Sequence, residues 1–436
     1  MKKITGFVVS VFVCLSVASA QSRNPLPSNA QLKWHENNYY FFMHFGPNTF
    51  TGKEWGDGKE KTSIFNPSQL DTDQWCKIAK ESGAKGIIIT AKHHDGFCLW
   101  PSKYSTHTVR ESAFKKDVLA MLSASCKKAG LLFGVYLSPW DRNHPDYGTE
   151  KYNDVFVNML QEIFQNYGPI WELWWDGANG EGPNGKVQQY DWRRYENFVR
   201  KISPQTVIFS DIGPDIRWVG NESGYAGVTN WNLLDTAGFK RGHGAPSQDT
   251  LESGNYKGAQ YIPAEVDVSI RPGWFFRETE NDKVKSAEQL YDIYLKSVGR
   301  GANLLLNVPP DTRGLIHEND QKALSGMKQK IDALYQTDLL KPAILNEAGP
   351  DKNNLQKKYT WFYLLKSPVA LNGVVLSEQL KYGQKIASAT ISFSLHGELV
   401  HQETITTVGN QRILKLPAPI RATEVSIIVN ESKGMP

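Results

Sequence analysis

From Tyr39 onward, short apolar runs alternate with longer stretches in which apolar residues recur every three or four positions. The short runs predict strands at 39–45, 86–92, 131–137, 171–176, 206–211, 225–231, 265–270 and 303–308. The longer stretches predict helices at 70–82, 117–128, 151–167, 192–202, 287–298 and 321–335. Gly130 stands where a helix C-terminus is expected after the second of these. Eight strands, most of them separated by helices, predict a (β/α)8-like barrel, with irregular crossings near the fifth and sixth strands. A doubly wound open sheet is the structural rival. It lacks its usual cue, since no GxGxxG follows the first strand and no GxxxxGK[ST] occurs anywhere.

The pattern changes near Leu340. Short runs at 359–365, 373–376, 389–395, 400–406, 412–416 and 423–429 follow one another without a helical period. Ala389, Ile391, Phe393 and Leu395 share one face of a strand, and Val425, Ile427 and Val429 share another. This predicts a small antiparallel β-sandwich over 339–436 after a catalytic-type barrel over 21–338.

Residues 1–20 read as a secretory leader: Lys2 and Lys3, an apolar stretch from Phe7 to Val17, and small residues at Ala18-Ser19-Ala20. The expectation is an exported protein, periplasmic or extracellular. Without the leader the chain keeps Cys76, Cys98 and Cys126, an odd set with no CxxC pair, so no disulfide framework or zinc knuckle is expected. No other stretch has the length of a membrane span. The formal net charge of +4 comes without a basic block, which recommends no nucleic-acid partner. Trp 13, Tyr 18 and Phe 19 are abundant, and flat amphipathic rings suit the apolar faces of sugars as well as an ordinary core.

In a barrel, working residues lie where strands end and feed their loops. Four consecutive strand ends carry polar or aromatic groups: His44 with Glu54-Trp55 in its loop, His93-His94, Tyr136, and Trp174 with Asp176. A core strand has no packing reason to finish in His or Asp. Adjacent His93 and His94 invite a metal, but strand neighbours point to opposite faces, and the His-x-His spacing of zinc barrels is absent. No metal and no cofactor are therefore expected, and the imidazoles serve as hydrogen-bonding groups for sugar hydroxyls. Glycosidic cleavage needs two carboxyl groups. Asp176 is the first, sharing a strand face with Trp174 and Glu172. The second is open among Glu222, Glu265 and Glu54. Glu222 is flanked by glycines and has an aromatic nearby to desolvate it.

The motifs FMHFG at 42–46, EW at 54–55, AKHHDGF at 91–97, GVYLS at 134–138 and WWDG at 174–177 resemble, in order and spacing, the α-L-fucosidases of glycoside hydrolase family 29. That resemblance implies a retaining exo-glycosidase acting on fucosylated oligosaccharides, with Asp176 as nucleophile. It implies that His44, Glu54, Trp55, His93, His94, Tyr136 and Trp174 grip the sugar. The segments 217–224 and 265–274 look like the branch that prefers α1,3- or α1,4-linked fucose. In that branch Glu222 matches the acid/base, and Arg217 and Trp274 fall to substrate binding. Two rivals stand beside this reading: a fucose-binding barrel that no longer cleaves, and a metal-dependent hydrolase using His44, His93 and His94.

Overall fold

Eight parallel strands close on themselves in the computed structural model, which describes residues 25–340, 344–348 and 359–434. The leader pattern at 1–20 lies outside the described residues. The strands are β1 (Tyr39–Met43), β2 (Gly86–Lys92), β3 (Leu132–Leu137), β4 (Glu172–Trp174), β5 (Val207–Ser210), β6 (Ile216–Trp218), β7 (Ala264–Ser269) and β8 (Asn303–Asn307). Each pairs with its sequence neighbours, and β8 pairs with β1 to close the barrel. Helices α1 (Thr72–Glu81), α2 (Val118–Ala129), α3 (Glu150–Tyr167), α4 (Trp192–Ile202), α5 (Ala287–Lys296) and α6 (Glu318–Tyr335) surround it. Their starts are fixed by side chains: Asp71 accepts from the Asp73 and Gln74 amides, and Asp117 from Ala120. Gly130 ends α2 at φ 71°, the left-handed conformation that favours glycine.

Strand alternation sorts two cores. Tyr39, Phe41, Met43, Ile87 and Ile89 pack outward against the helices, whereas Tyr40, Phe42, Ile88, Tyr136, Trp174, Phe209 and Leu305 fill the interior. Burying one such aliphatic or aromatic side chain contributes about 1.5–3 kcal/mol. The interior is thus packed, and its inward rows emerge at one rim.

The sixth strand differs from expectation. Residues 225–231 form no strand, and the barrel instead uses Ile216–Trp218. A three-residue strand is too short to show a period of two, and β5 and β6 are joined without a helix. The expected segment has its backbone groups bonded elsewhere, as described below.

Beyond α6 lies one five-stranded antiparallel sheet, built from β9 (Ile344–Ala348), β10 (Thr360–Leu376), β11 (Ile386–Leu395), β12 (Glu398–Ile405) and β13 (Arg412–Ser432). Pairs of runs read as separate strands are joined: 359–365 with 373–376 in β10, and 412–416 with 423–429 in β13. Register shifts between Leu364 and Val369 and between Leu371 and Gly373 interrupt the alternation, which is why each half reads alone. Ala389, Ile391, Phe393, Val425, Ile427 and Val429 form that domain's core. Cys76, Cys98 and Cys126 are buried free thiols. Among the described residues no helix is long and apolar enough to cross a membrane.

Candidate active site

The inward rows end in polar groups around a cavity of about 210 Å³ at the C-terminal rim of the barrel. On β1, Tyr40 and Phe42 point inward, so His44 does too. Its Nδ1 bonds Asn307 Oδ1 at 2.9 Å, and Asn307 gives its two amide protons to Ser269 Oγ at 2.9 Å and the Trp274 carbonyl at 2.8 Å. Asn307 Oδ1 can only accept, so His44 Nδ1 carries the proton and Nε2 is left as an acceptor.

His93 and His94 both line the cavity, their ring centroids 4.2 Å apart. The opposite-face expectation fails because β2 ends at Lys92, after a register shift between Thr90 and Lys92, and both histidines belong to the turn beyond it. His94 Nδ1 bonds Ser138 Oγ at 2.8 Å, and its Nε2 lies 3.5 Å from Asp176 Oδ2. Burial pushes His44 down to about 3 and His94 down to about 4, the latter against the opposing charge of Asp176. Burial also holds His93 well below its ordinary value, with His94 and His44 adding to the effect. The three rings are neutral near pH 7, suited to hydrogen bonding rather than to holding charge. Among the described residues no group of three or more His, Cys, Asp or Glu is arranged to hold a metal ion.

Asp176 emerges at the end of β4 in the same row as Glu172 and Trp174. Its Oδ2 accepts from Tyr136 Oη at 3.0 Å and its Oδ1 from the Ala178 amide at 2.8 Å. Glu222 reaches the same cavity from the loop after β6, with Trp274 Nε1 donating to its Oε2 at 3.2 Å. Crowding at the lip raises the Glu222 carboxyl above its ordinary value. Burial is the largest cause, the charges of Asp176 and Glu54 push the same way, and the Trp274 bond opposes them. Glu54 accepts from the Trp274 amide at 2.7 Å and pairs with Arg277. Trp55, 55% exposed, overhangs the rim edge-on to His94 and Trp140.

Two residues named from the sequence lie elsewhere. Arg217 does not reach the cavity. It alternates with Trp218, which faces inward, so its guanidinium points out of the barrel and is fully buried among carbonyls. Nε donates to Leu251 O at 3.0 Å, Nη2 to Trp231 O at 3.1 Å and to Asn230 Oδ1 at 3.2 Å, and Nη1 to Ile262 O. Glu265, weighed as the second carboxyl, is also fully buried, below the cavity floor. It accepts from Trp174 Nε1 at 2.8 Å and from Tyr40 Oη, and sits beside Glu172.

Sequence reasoning passed over Asn307 and Asp267. Asn307 ends β8 as His44 ends β1, so the strand-end rule contained it. Asp267 stands two residues after Glu265 on the inward face of β7, where it lines the cavity and accepts from Trp218 Nε1 at 2.8 Å. Burial and then the charge of Glu222 push its carboxyl well up. A second cavity of about 390 Å³ shares Trp174, Asp176, Glu222 and Asp267 with the first and continues past Phe209, Asp211 and Trp218. Two carboxyl groups on a floor of tryptophan, ringed by neutral hydrogen-bonding groups, suit acid- and nucleophile-assisted cleavage of a small polar ring.

Known proteins resemble this chain in sequence and in fold. The sequence model of a family described as Alpha-L-fucosidase matches residues 18–332. The chain is 39% identical to Alpha-L-fucosidase 1 of Arabidopsis thaliana over 440 aligned positions, covering 94% of this chain and 86% of that one. It superposes with a TM-score of 0.86 on a glycoside hydrolase 29 family member from an unknown rumen bacterium, 37% identical, over 95% of this chain and 76% of that one. A Ruminococcus gnavus GH29 fucosidase in complex with fucose superposes with a TM-score of 0.84 at 28% identity, over 93% of this chain and 92% of that one.

Proposed function

The chain belongs to the α-L-fucosidase family, glycoside hydrolase family 29, and from that premise we propose that it is a retaining exo-enzyme with Asp176 as nucleophile and Glu222 as acid/base. The observation that carries this reading is that both carboxyl groups line one cavity small enough for a single sugar. About 210 Å³ falls below the roughly 300–1,000 Å³ typical of pockets for larger ligands.

In the first step Asp176 attacks the anomeric carbon while Glu222, kept protonated by its crowded setting, gives its proton to the departing oxygen. In the second, Glu222 takes a proton from water, whose oxygen attacks the anomeric carbon on the face opposite Asp176, the side the leaving oxygen vacated; the bond to Asp176 breaks and the original anomer returns. Tyr136 orients the nucleophile through its bond to Oδ2. His44, His93 and His94 meet the ring hydroxyls as neutral partners, and the indoles of Trp174 and Trp274 face its apolar side. Asp267 and Trp218 mark where the first cavity passes into the second, which takes the leaving sugar.

We further propose a preference for α1,3- or α1,4-linked fucose, on the likeness of 217–224 and 265–274 to that branch. Export is part of the same proposal, on the leader pattern at 1–20. The test is a panel of α1,2-, α1,3-, α1,4- and α1,6-fucosylated oligosaccharides, with free fucose as readout and NMR of the first-formed anomer. Release of the α anomer from the α1,3 and α1,4 substrates is expected. A first-formed β anomer would refute retention, and equal rates on all four linkages would refute the preference.

A further inference from the structure

The loop carrying Glu222 is held at its feet by the antiparallel domain. At its tip Gly220 and Gly224 flank Glu222 at φ 91° and 87°, a left-handed turn that glycine adopts without strain, and Asn221 Nδ2 donates to the Tyr225 carbonyl and to Glu252 Oε1, each at 3.0 Å. Its return leg contains 225–231, which was expected to be a barrel strand; the Ala226, Gly227 and Trp231 amides bond back to Lys296, Glu252 and Ser253 of the barrel domain, while Val228, Asn230 and Asn232 turn backbone groups to the other domain. The Val228 carbonyl accepts from Arg412 Nη1 and from Thr406 Oγ1, each at 2.8 Å. The Asn230 amide donates to Thr407 Oγ1 at 2.8 Å, and its carbonyl accepts from Gln384 Nε2 at 2.9 Å. The same Gln384 side chain, through Oε1, accepts from the Asn232 amide at 2.7 Å. One glutamine therefore makes the donor-and-acceptor pair that a neighbouring strand would supply. Thr407 and Gln384 are buried, so these bonds do not compete with water.

Asn230 carries the restraint into the barrel. Its Oδ1 accepts from Arg217 Nη2 at 3.2 Å, and its Nδ2 donates to the Arg300 carbonyl at 3.0 Å. Arg217 precedes Trp218, whose indole bonds Asp267 in the cavity wall. Both legs of the Glu222 loop, outgoing at Arg217 and returning at Asn230, thus meet at a residue gripped by the antiparallel domain. The buried position of Arg217, unexplained by substrate binding, has its reason here.

We propose that the antiparallel domain serves catalysis by positioning the acid/base loop, with Gln384 and Thr407 as positioning residues. The proposal rests on Glu222 being the acid/base. Contacts that merely joined two domains would alter stability while leaving proton donation untouched. A loosened loop would instead impair the step that depends on Glu222, and most where the leaving group most needs a proton.

The test compares T407V, which keeps the shape and removes the acceptor, with T407S, which keeps the hydroxyl, and with Q384A as an independent variant. Each is assayed as the full chain on a fucosylated oligosaccharide and on a nitrophenyl fucoside, with a thermal melt to verify folding and inhibition by free fucose to verify the sugar cavity. T407V is expected to lose about tenfold in kcat/KM on the oligosaccharide, corresponding to loss of one buried hydrogen bond, and Q384A, which removes two, at least as much; both should lose less than about twofold on the nitrophenyl substrate. T407S should stay near the parent, and fucose inhibition should not move. Equal losses on both substrates, or no loss in the folded variants, would overturn the proposal. E222Q run in parallel separates the two claims. If E222Q alone shows the leaving-group-dependent loss, only the positioning role falls; if E222Q loses equally on both substrates, the acid/base reading falls and takes this proposal with it.

Discussion

Tyr136 on β3 donates its hydroxyl proton to Asp176 Oδ2 across 3.0 Å, crossing from one barrel strand to the end of the next. The hydroxyl is buried, and burial together with the neighbouring Asp176 charge keeps it firmly protonated. It can act only as a donor toward the carboxylate. Tyr136→Phe keeps the ring that stacks on Trp174 and His93 and removes that bond. The expected result is a fall of roughly tenfold or more in kcat with little change in melting temperature. Unchanged kcat would show that Asp176 is oriented without Tyr136.

Glu222 fixes the alkaline side of the pH profile. A carboxyl raised by burial and by the charges of Asp176 and Glu54 stays protonated above the ordinary glutamate range. Since the protonated form is the competent acid, kcat/KM for a natural glycan should hold through that range and decline at higher pH. Glu222→Ala should remove the decline, spare substrates with good leaving groups, and regain turnover with added azide. A profile in E222A with the parent's alkaline limb would assign that limb to another group.

The buried pair Glu172 and Glu265 gives the contrasting case. Burial, then the charge of Glu265, pushes Glu172 well up; burial also raises Glu265, against bonds from Glu172, Tyr40 and Trp174. One proton shared between two adjacent carboxyl groups satisfies both and leaves Trp174 and Tyr40 their acceptors. Glu265→Ala should therefore lower the melting temperature, because Trp174 Nε1 and Tyr40 Oη lose their partner at a cost of about 1–3 kcal/mol each. Its residual activity should show no azide rescue and no leaving-group dependence. Rescue in E265A would transfer the acid/base role to this residue.

Most of the barrel and its rim was legible because strand alternation and the strand-end rule act locally. His44, Tyr136 and Asp176 each follow from two or three neighbouring residues of one face. The misplaced elements share a different cause. The sixth strand is too short to carry a period, and 225–231 has strand-like composition although several of its backbone partners, Gln384, Thr407 and Arg412 among them, lie more than 150 positions away. Arg217 was assigned to substrate binding from the likeness of 217–224 to a family branch, with that segment read as a loop; as part of β6 it alternates with Trp218 and points out of the barrel. The histidine pair was read as strand although β2 stops one residue earlier. Asn307 and Asp267 were available to the same rule that found His44, and only the distant closure of β8 on β1 makes their inward direction plain.

Beneath His94 lies a buried ion pair on which the rim rests. Lys92 Nζ is 3.2 Å from Asp141 Oδ2, both side chains almost fully buried, and Nζ also donates to Tyr152 Oη at 3.2 Å and Trp140 O at 3.3 Å. Burial alone would raise Asp141, yet Lys92 and the His144 and Asn143 amides hold it below its ordinary value. Lys92→Met leaves that carboxylate buried without its cation, which should destabilise the fold by about 3–5 kcal/mol. The double variant K92M/D141N, which removes both charges and keeps the Oδ1 acceptor for the Asn143 and His144 amides, should recover much of the loss. A melt showing K92M as stable as the parent would refute the pair's structural role.

Asp95, in the turn that follows the histidine pair, makes the fold itself sensitive to pH. Burial pushes its carboxyl up to about 7; Glu60 and Asp141 add to the rise, while the Phe97 amide and Lys92 oppose it. In the unfolded chain an aspartate titrates near about 3.9. Below that value both states hold the proton and Asp95 imposes no penalty. As pH rises from about 4 to about 7 the unfolded state gives up its proton while the folded state keeps it, so stability falls across that window and the full penalty is present above it. Three units of difference correspond to about 4 kcal/mol. Asp95→Asn retains the Oδ1 acceptor for the Phe97 amide, at 2.8 Å in the parent, and has no charge to bury. Denaturant unfolding at about pH 5 and about pH 8 should therefore show D95N gaining on the parent as pH rises. Parallel stability curves for the two proteins would mean that Asp95 titrates alike folded and unfolded, and that its burial is matched by partners other than those named.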